Sequence, residues 1–343
     1  MRGLHRSISL LVAVVLLMAM LVVSASMPAT TAAQEPKYTF YFVSHIGPAD
    51  PNMKWLTQSI EDASKLFPVK VNYVAPEVFS VEQQVNMLQT AIAAKPDGLI
   101  VPITDPAALD APLREAINAG IPVIASNIAD PRPAPEKIPY LTYVGGDEYK
   151  TGVQMAERIL KEFEPNMPKR VACGIGHVGH VGAEMRCQGL IDTLQPKGVT
   201  VEKVALTEEP AKIADTWRSY LQANPDTEAI WIVTMLATPY VYNVTKELGL
   251  TDKVKIATVD ESPMSVEGIL RGYVIATHSQ QFYLQGYLPV VWLYIYKEYG
   301  YVPPPEEIIG PVIIDKSTAA DWKTRLVNLF GEQTYNELAG WGQ

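Results

Sequence analysis

From residue 38 almost to the C-terminus, short β-branched or aromatic runs alternate with amphipathic stretches of helical length. This alternation constrains the fold more than any other feature. Strand-like runs read at 38–44, 69–74, 98–101, 122–126 and 141–144, with helix-length segments between them. A second series follows at 170–175, 199–206, 229–233, 254–259 and 273–277. Repeated βαβ units with right-handed crossovers require parallel sheets covered on both faces by helices.

The two series share a plan. Asp97-Gly-Leu-Ile-Val-Pro-Ile-Thr-Asp-Pro, a helix and Ile121-Pro-Val-Ile-Ala are matched by Glu228-Ala-Ile-Trp-Ile-Val-Thr-Met-Leu-Ala-Thr-Pro, a helix and Val254-Lys-Ile-Ala-Thr-Val-Asp260. About 310 residues follow Ala33, more than one core usually organises, so two similar α/β lobes of about 150 residues are expected. In a doubly wound sheet ligands bind beyond the carboxyl ends of the strands, which makes the residues just after each strand the functional candidates.

The N-terminus carries its own signal. A basic start with Arg2 and Arg6 leads into an apolar run from Leu10 to Val23 and then small residues around Ser24 and Ala33. This reads as a signal peptide over residues 1–33, its apolar run too short for the roughly 20 residues that span a bilayer. It contains no Cys to accept a lipid anchor, so an exported, soluble protein is expected. Its removal takes away two arginines and no acid, moving the formal charge from −9 to −11. Such a surface repels nucleic acid and anionic lipid.

Cys173 and Cys187 are the only cysteines. In an oxidising compartment they form either a disulfide between a strand and the following helix or two separately buried thiols.

With these elements placed, the chain resembles the type I periplasmic sugar-binding proteins, the ribose-binding protein group, along essentially all of its length after Ala33. The resemblance rests on Asp50-Pro-Asn, Lys95-Pro-Asp-Gly-Leu-Ile-Val-Pro-Ile-Thr-Asp-Pro, Gly120-Ile-Pro-Val-Ile-Ala-Ser-Asn127, Val144-Gly-Gly-Asp-Glu-Tyr-Lys-Thr-Gly152, Arg186-Cys-Gln-Gly189, Ala257-Thr-Val-Asp260 and Gln280-Gln-Phe-Tyr-Leu-Gln-Gly. It implies two Rossmann-like lobes joined by a three-segment hinge, 34–145 with 281–309 and 146–280 with 310–343, closing over one sugar. It implies a membrane permease of an ABC importer as partner, a chemoreceptor as a possible second one, and a monomer that needs no cofactor.

By the same resemblance Asn127 and Arg186 are expected to hold sugar hydroxyls, with Asp260 and Gln280 supplying an acceptor and an amide from the second lobe. Carboxylate, amide and guanidinium groups each bridge neighbouring hydroxyls, which are both donors and acceptors. Other readings stay open: Asp260 as a helix cap, Asn127 as a turn residue, Arg186 in a surface ion pair, Gln280 in a solvated loop. Ser44, Asp105 and Thr234 follow strands and are looser candidates, Asp105 doubling as an N-cap before Pro106. Asn52 and Met53 stand where the group commonly has stacking aromatics. Asn52 is therefore a candidate contact, and Trp217, Tyr240 or Phe282 is expected to supply the platform. An aldohexose such as glucose is the preferred ligand, with a pentose or cyclitol as alternatives.

Two features point elsewhere. Gly174-Ile-Gly-His-Val-Gly179 satisfies a dinucleotide fingerprint in letter, but the nearest acids at the next strand's end, Glu208 and Glu209, fall about 30 residues on rather than about 20. Cys173, His177, His180, Glu184 and Cys187 are the only dense set of potential zinc ligands, without the usual paired spacing. The expectation is that His177 lines the sugar cleft, the other histidine is solvated, and no metal or catalysis is involved. A repressor core is disfavoured because a signal peptide stands where a DNA-binding helix-turn-helix would precede the first strand.

Overall fold

The computed structural model describes residues 35–341 except Val178 and Glu208, so the signal-peptide reading lies outside the described residues. The first sheet is built from β1 (Tyr38–Val43), β2 (Val69–Val74), β3 (Gly98–Val101), β4 (Val123–Asn127) and β5 (Thr142–Gly145), with crossovers through α1 (Met53–Leu66), α2 (Val81–Ala93) and α3 (Pro106–Asn118). After α4 (Glu148–Phe163) the second sheet takes β6 (Arg170–Ile175), β7 (Thr200–Ala205), β8 (Thr227–Ile232), β9 (Lys255–Ala257) and β10 (Ala276–Ser279). Its helices are α5 (Val181–Leu194), α6 (Pro210–Ala223), α7 (Thr238–Glu247) and α8 (Pro263–Leu270). The chain returns through α9 (Phe282–Tyr299) and β11 (Glu306–Ile308), then ends with β12 (Val312–Asp315), α10 (Ala319–Phe330) and α11 (Glu332–Leu338).

The strand orders are β11-β5-β4-β3-β1-β2 and β12-β10-β9-β8-β6-β7, so the two sheets have the same topology. All pairings are parallel except β12 with β10. The chain passes between sheets after β5, between β10 and α9, and between β11 and β12. Among the described residues no helix is long and apolar enough to cross a membrane.

Each central strand is buried on both faces, which is why β3 is a continuous apolar run rather than an alternating one. The sequence places it and β2 and β6 with the ends observed. β10 begins three residues later than its apolar run suggests, because Gly272 adopts φ +76° and the amides of Tyr273 and Val274 turn back to the Gly268 carbonyl. Ile275 then bonds through its amide to the Ile256 carbonyl at 2.8 Å, and Ala276 is the first residue paired with β9. β11 and β12, which the sequence does not place, lie at the sheet edges and are mostly exposed or part-buried rather than buried on both faces.

Cys173 on β6 and Cys187 on α5 form a disulfide with Cα atoms 5.9 Å apart, so the paired alternative holds. The helices α4 and α5 meet at two glycines. A Cβ on Gly152 would lie 2.1 Å from the Arg186 carbonyl oxygen, and one on Gly189 would lie 2.1 Å from that of Tyr149. This close approach sets the start of α4 against the middle of α5.

Candidate functional site

The carboxyl ends of both sheets face one cleft of about 760 Å³ including its open mouth. Asn127, His177, Arg186, Thr234, Asp260 and Gln280 all line it. Asn127 ends β4, while Asp260 and Gln280 follow β9 and β10, so the rule that ligands sit beyond strand ends locates them.

Asn127 and Asp260 occupy corresponding positions of the two sheets, and both have left-handed backbones, with φ +67° and +72°. For non-glycine residues this conformation costs about 1 kcal/mol or more, and such strain concentrates at functional sites. Their side chains belong to one network. The Gln280 Oε1 accepts from Arg186 Nη2 at 2.9 Å and from Asn127 Nδ2 at 3.0 Å, while its Nε2 donates to Asp260. Asn52 Nδ2 donates to the other Asp260 oxygen at 3.1 Å. Gln285 Oε1 also accepts from Asn127, at 2.8 Å. The Asn52–Asp260 and Asn127–Gln280 bonds join groups from different sheets.

Arg186 is 5 % exposed and donates through Nε to Glu148, the first residue of α4, which is equally buried. The glycine contact between the helices is what brings this carboxylate within reach. Burial works against the guanidinium's charge, but Glu148, Asp260 and Tyr143 together outweigh it and raise the Arg186 pKa. Arg186 is therefore a buried, paired cation rather than half of a surface ion pair. Glu261 completes the frame: its carboxylate accepts from the amides of Gln280 and Phe282 at 2.8 Å each, tying the end of β9 to the segment that crosses between sheets.

Three candidates are not brought into the cleft. Asp105 caps α3, accepting from the amides of Ala107 and Ala108 at 2.9 and 3.1 Å, so its carboxylate is spent on the helix start. Ser44 is buried below the cleft and accepts from the Ile46 amide at 3.1 Å. Asn52 lies behind Asp260 and reaches the cleft only through it. Asp260 is not a helix cap; Ser262 caps α8.

His180 is 3 % exposed, correcting the expectation of a solvated histidine: its Nδ1 accepts from the Ala183 amide and caps α5, and its ring lines the cleft. Trp217 is fully buried in the core of the second sheet and Tyr240 packs on the same core, so neither reaches the cleft. Phe282 does line it.

The sequence misses His45, Asp50, Glu77 and Phe79, all of which line the cleft. Phe79 packs on His177 with ring centroids 4.5 Å apart, and His45 on His180 at 5.1 Å. Two buried polar atoms here have no hydrogen-bond partner in the protein, His45 Nδ1 and Asn52 Oδ1.

The fingerprint glycines serve packing. A Cβ on Gly174 would lie 2.6 Å from the Trp217 ring, and one on Gly176 would lie 2.6 Å from Thr234 Oγ1, which accepts from the Gly176 amide at 3.0 Å. The potential zinc ligands disperse likewise, with both thiols in the disulfide and Glu184 paired to Lys203 at 2.8 Å. Among the described residues no group of three or more His, Cys, Asp or Glu is arranged to hold a metal.

Burial and the nearby Asp260 charge push the Asp50 carboxyl up to about 7. The folded protein keeps that proton to near neutrality while the unfolded chain loses it near pH 4, so this group's stabilisation is complete below pH 4 and is lost as the pH rises to 7. His45, held down to about 3 by burial and by His177 and Arg186, acts oppositely below pH 6.5. Asp50→Asn keeps the acceptor for the Asn52 amide. It should melt a few degrees, ~5 °C, above the parent at pH 8, with the advantage shrinking towards pH 4 in scanning calorimetry. An advantage independent of pH would rule out the carboxyl as its source.

Two like sheets whose strand ends converge on hydroxyl-complementary side chains define a two-lobed, cleft-binding protein. Residues 41–298 match the periplasmic binding protein domain family, and the chain belongs to it. The xylose/arabinose-binding protein XylF of Sulfolobus acidocaldarius is 29% identical over 273 residues, 77% of this chain and 67% of that protein. A periplasmic sugar-binding protein of an ABC transporter from Legionella pneumophila is 26% identical with TM-score 0.73, covering 79% of this chain and 98% of its own. A carbohydrate transporter structure from Acidothermus cellulolyticus, in complex with myo-inositol, is 26% identical with TM-score 0.75, covering 86% and 99%. These place the chain among the sugar-binding proteins of ABC transporters, which act outside the cytoplasm and are substrate-binding proteins rather than enzymes.

Proposed function

We propose that the protein captures one monosaccharide or cyclitol ring between its sheets, with Asn127, Arg186, Asp260 and Gln280 as the hydroxyl-binding groups. The observation that carries this reading is the convergence of those four side chains from both sheets on one cleft, two of them on strained backbone. Each bridges adjacent hydroxyls, and none is poised as a nucleophile. Because the contacts come from both sheets, ligand stabilises the closed arrangement, which is the form handed to the transporter's membrane components. The protein does this as a monomer, and the same closed shape suits a chemoreceptor.

The sequence favours an aldohexose, whereas the relatives named for xylose and arabinose and solved with myo-inositol support a pentose or a cyclitol. A thermal-shift panel of pentoses, aldohexoses and cyclitols tests the reading. Ligand at 100 times its Kd adds about 2.7 kcal/mol, a rise of roughly 5 °C or more. Silence across the whole panel would refute it.

A further inference from the structure

The strand order supplies a ruler along the cleft. Asn127 and Asp260 stand at the ends of β4 and β9, next to the strands where the chain crosses between sheets. His45 follows β1 and His177 and His180 follow β6, each two strands further from the crossings. With strands about 4.8 Å apart, the strands that carry these rings lie about 10 Å along the sheets from those that carry Asn127 and Asp260. Phe79, five residues beyond β2, comes from the far edge of the first sheet.

The four rings touch across the cleft in pairs. Phe79 meets His177 at 4.5 Å between centroids, and His45 meets His180 at 5.1 Å. Phe79 also lies 5.7 Å from His180 and 6.1 Å from His45, so the pairs form one continuous wall. One ring of each pair belongs to each sheet, so closing the sheets closes this wall.

We infer that the wall of His45, Phe79, His177 and His180 sets ligand size, admitting a pentopyranose or cyclitol and excluding the exocyclic hydroxymethyl group of an aldohexose. This rests on the monosaccharide reading and deepens it. A sugar ring held by the polar anchors fills the space up to the rings. A further carbon on that ring has to separate rings already in contact. One carbon more than a pocket fits changes affinity by about 10- to 200-fold.

The test is calorimetric titration with two pairs that differ only by that group, D-xylose with D-glucose and L-arabinose with D-galactose, and with myo-inositol. The pentose of a binding pair is expected to bind at least tenfold tighter than its hexose. In Phe79→Ala, whose parent side chain is partly buried on a loop, the ratio is expected to fall within about threefold through tighter hexose binding; His177→Ala repeats the test from the other sheet. If only the cyclitol binds, Phe79→Ala is expected to admit an aldohexose, and its failure to do so overturns the inference. Equal or tighter hexose binding by the parent overturns it too. So does equal loss of both sugars in Phe79→Ala, the result expected if the rings stack on the sugar's face. Binding without discrimination leaves the monosaccharide reading standing; no binding by any of the five removes both.

Discussion

Replacing Arg186 by Met will reduce sugar affinity at least 1,000-fold, about 4 kcal/mol, and will lower thermal stability as well. The affinity loss follows from removing a buried guanidinium that lines the cleft and shares Gln280 with Asn127. The stability loss has a different origin. Glu148 is buried against Arg186, and truncating one partner of a buried pair leaves an uncompensated charge, a penalty of roughly 3–5 kcal/mol. The two effects therefore separate in a double variant. Arg186→Met with Glu148→Gln should recover most of the lost melting temperature and none of the affinity, read by scanning calorimetry and titration on the same preparations. A double variant no more stable than Arg186→Met would mean that Glu148 is not destabilised by the loss of its partner.

The disulfide carries the second large effect. It closes 14 residues of chain, and in the loop-entropy account a bridge of that span contributes about 3 kcal/mol. Changing both Cys173 and Cys187 to Ala should lower the unfolding free energy by that order in urea titrations, with the parent converging on the variant in reductant. The bridge also fixes α5 to β6 one residue from Arg186. Sugar affinity is therefore expected to fall several-fold alongside. Unchanged affinity in a destabilised variant would show that the glycine contact between α4 and α5 positions Arg186 without help.

The sheets were legible because strands buried on both faces leave continuous apolar runs, as in β3 and β6, whereas β11 and β12 stand mostly exposed or part-buried at the sheet edges. Asn127, Asp260 and Gln280 sit at strand ends, where topology places a side chain in the cleft, whereas Arg186 lies within α5 and is expected only from the resemblance. Phe79 was not, because it comes after Pro76-Glu-Val on a loop whose path no periodicity constrains. Asp105 shows the converse limit. A cap and a ligand contact ask for the same residue after the same strand, and only the hydrogen bonds to Ala107 and Ala108 decide between them. His180 was misjudged because imidazole is an unusual cap, yet its Nδ1 does that work while the ring stays in the cleft. Trp217 looked available for stacking, but the missing Cβ of Gly174 makes its place in the core.

The hydrogen bonds between Asn52 and Asp260 and between Asn127 and Gln280 bear on the speed of capture. They occupy acceptors that sugar hydroxyls also seek, and they join one sheet to the other. Sugar can enter between the sheets only after these cross-sheet bonds let go. In stopped-flow mixing the observed rate should thus climb with sugar concentration and then reach a plateau, fixed by how often the two amides release rather than by diffusion.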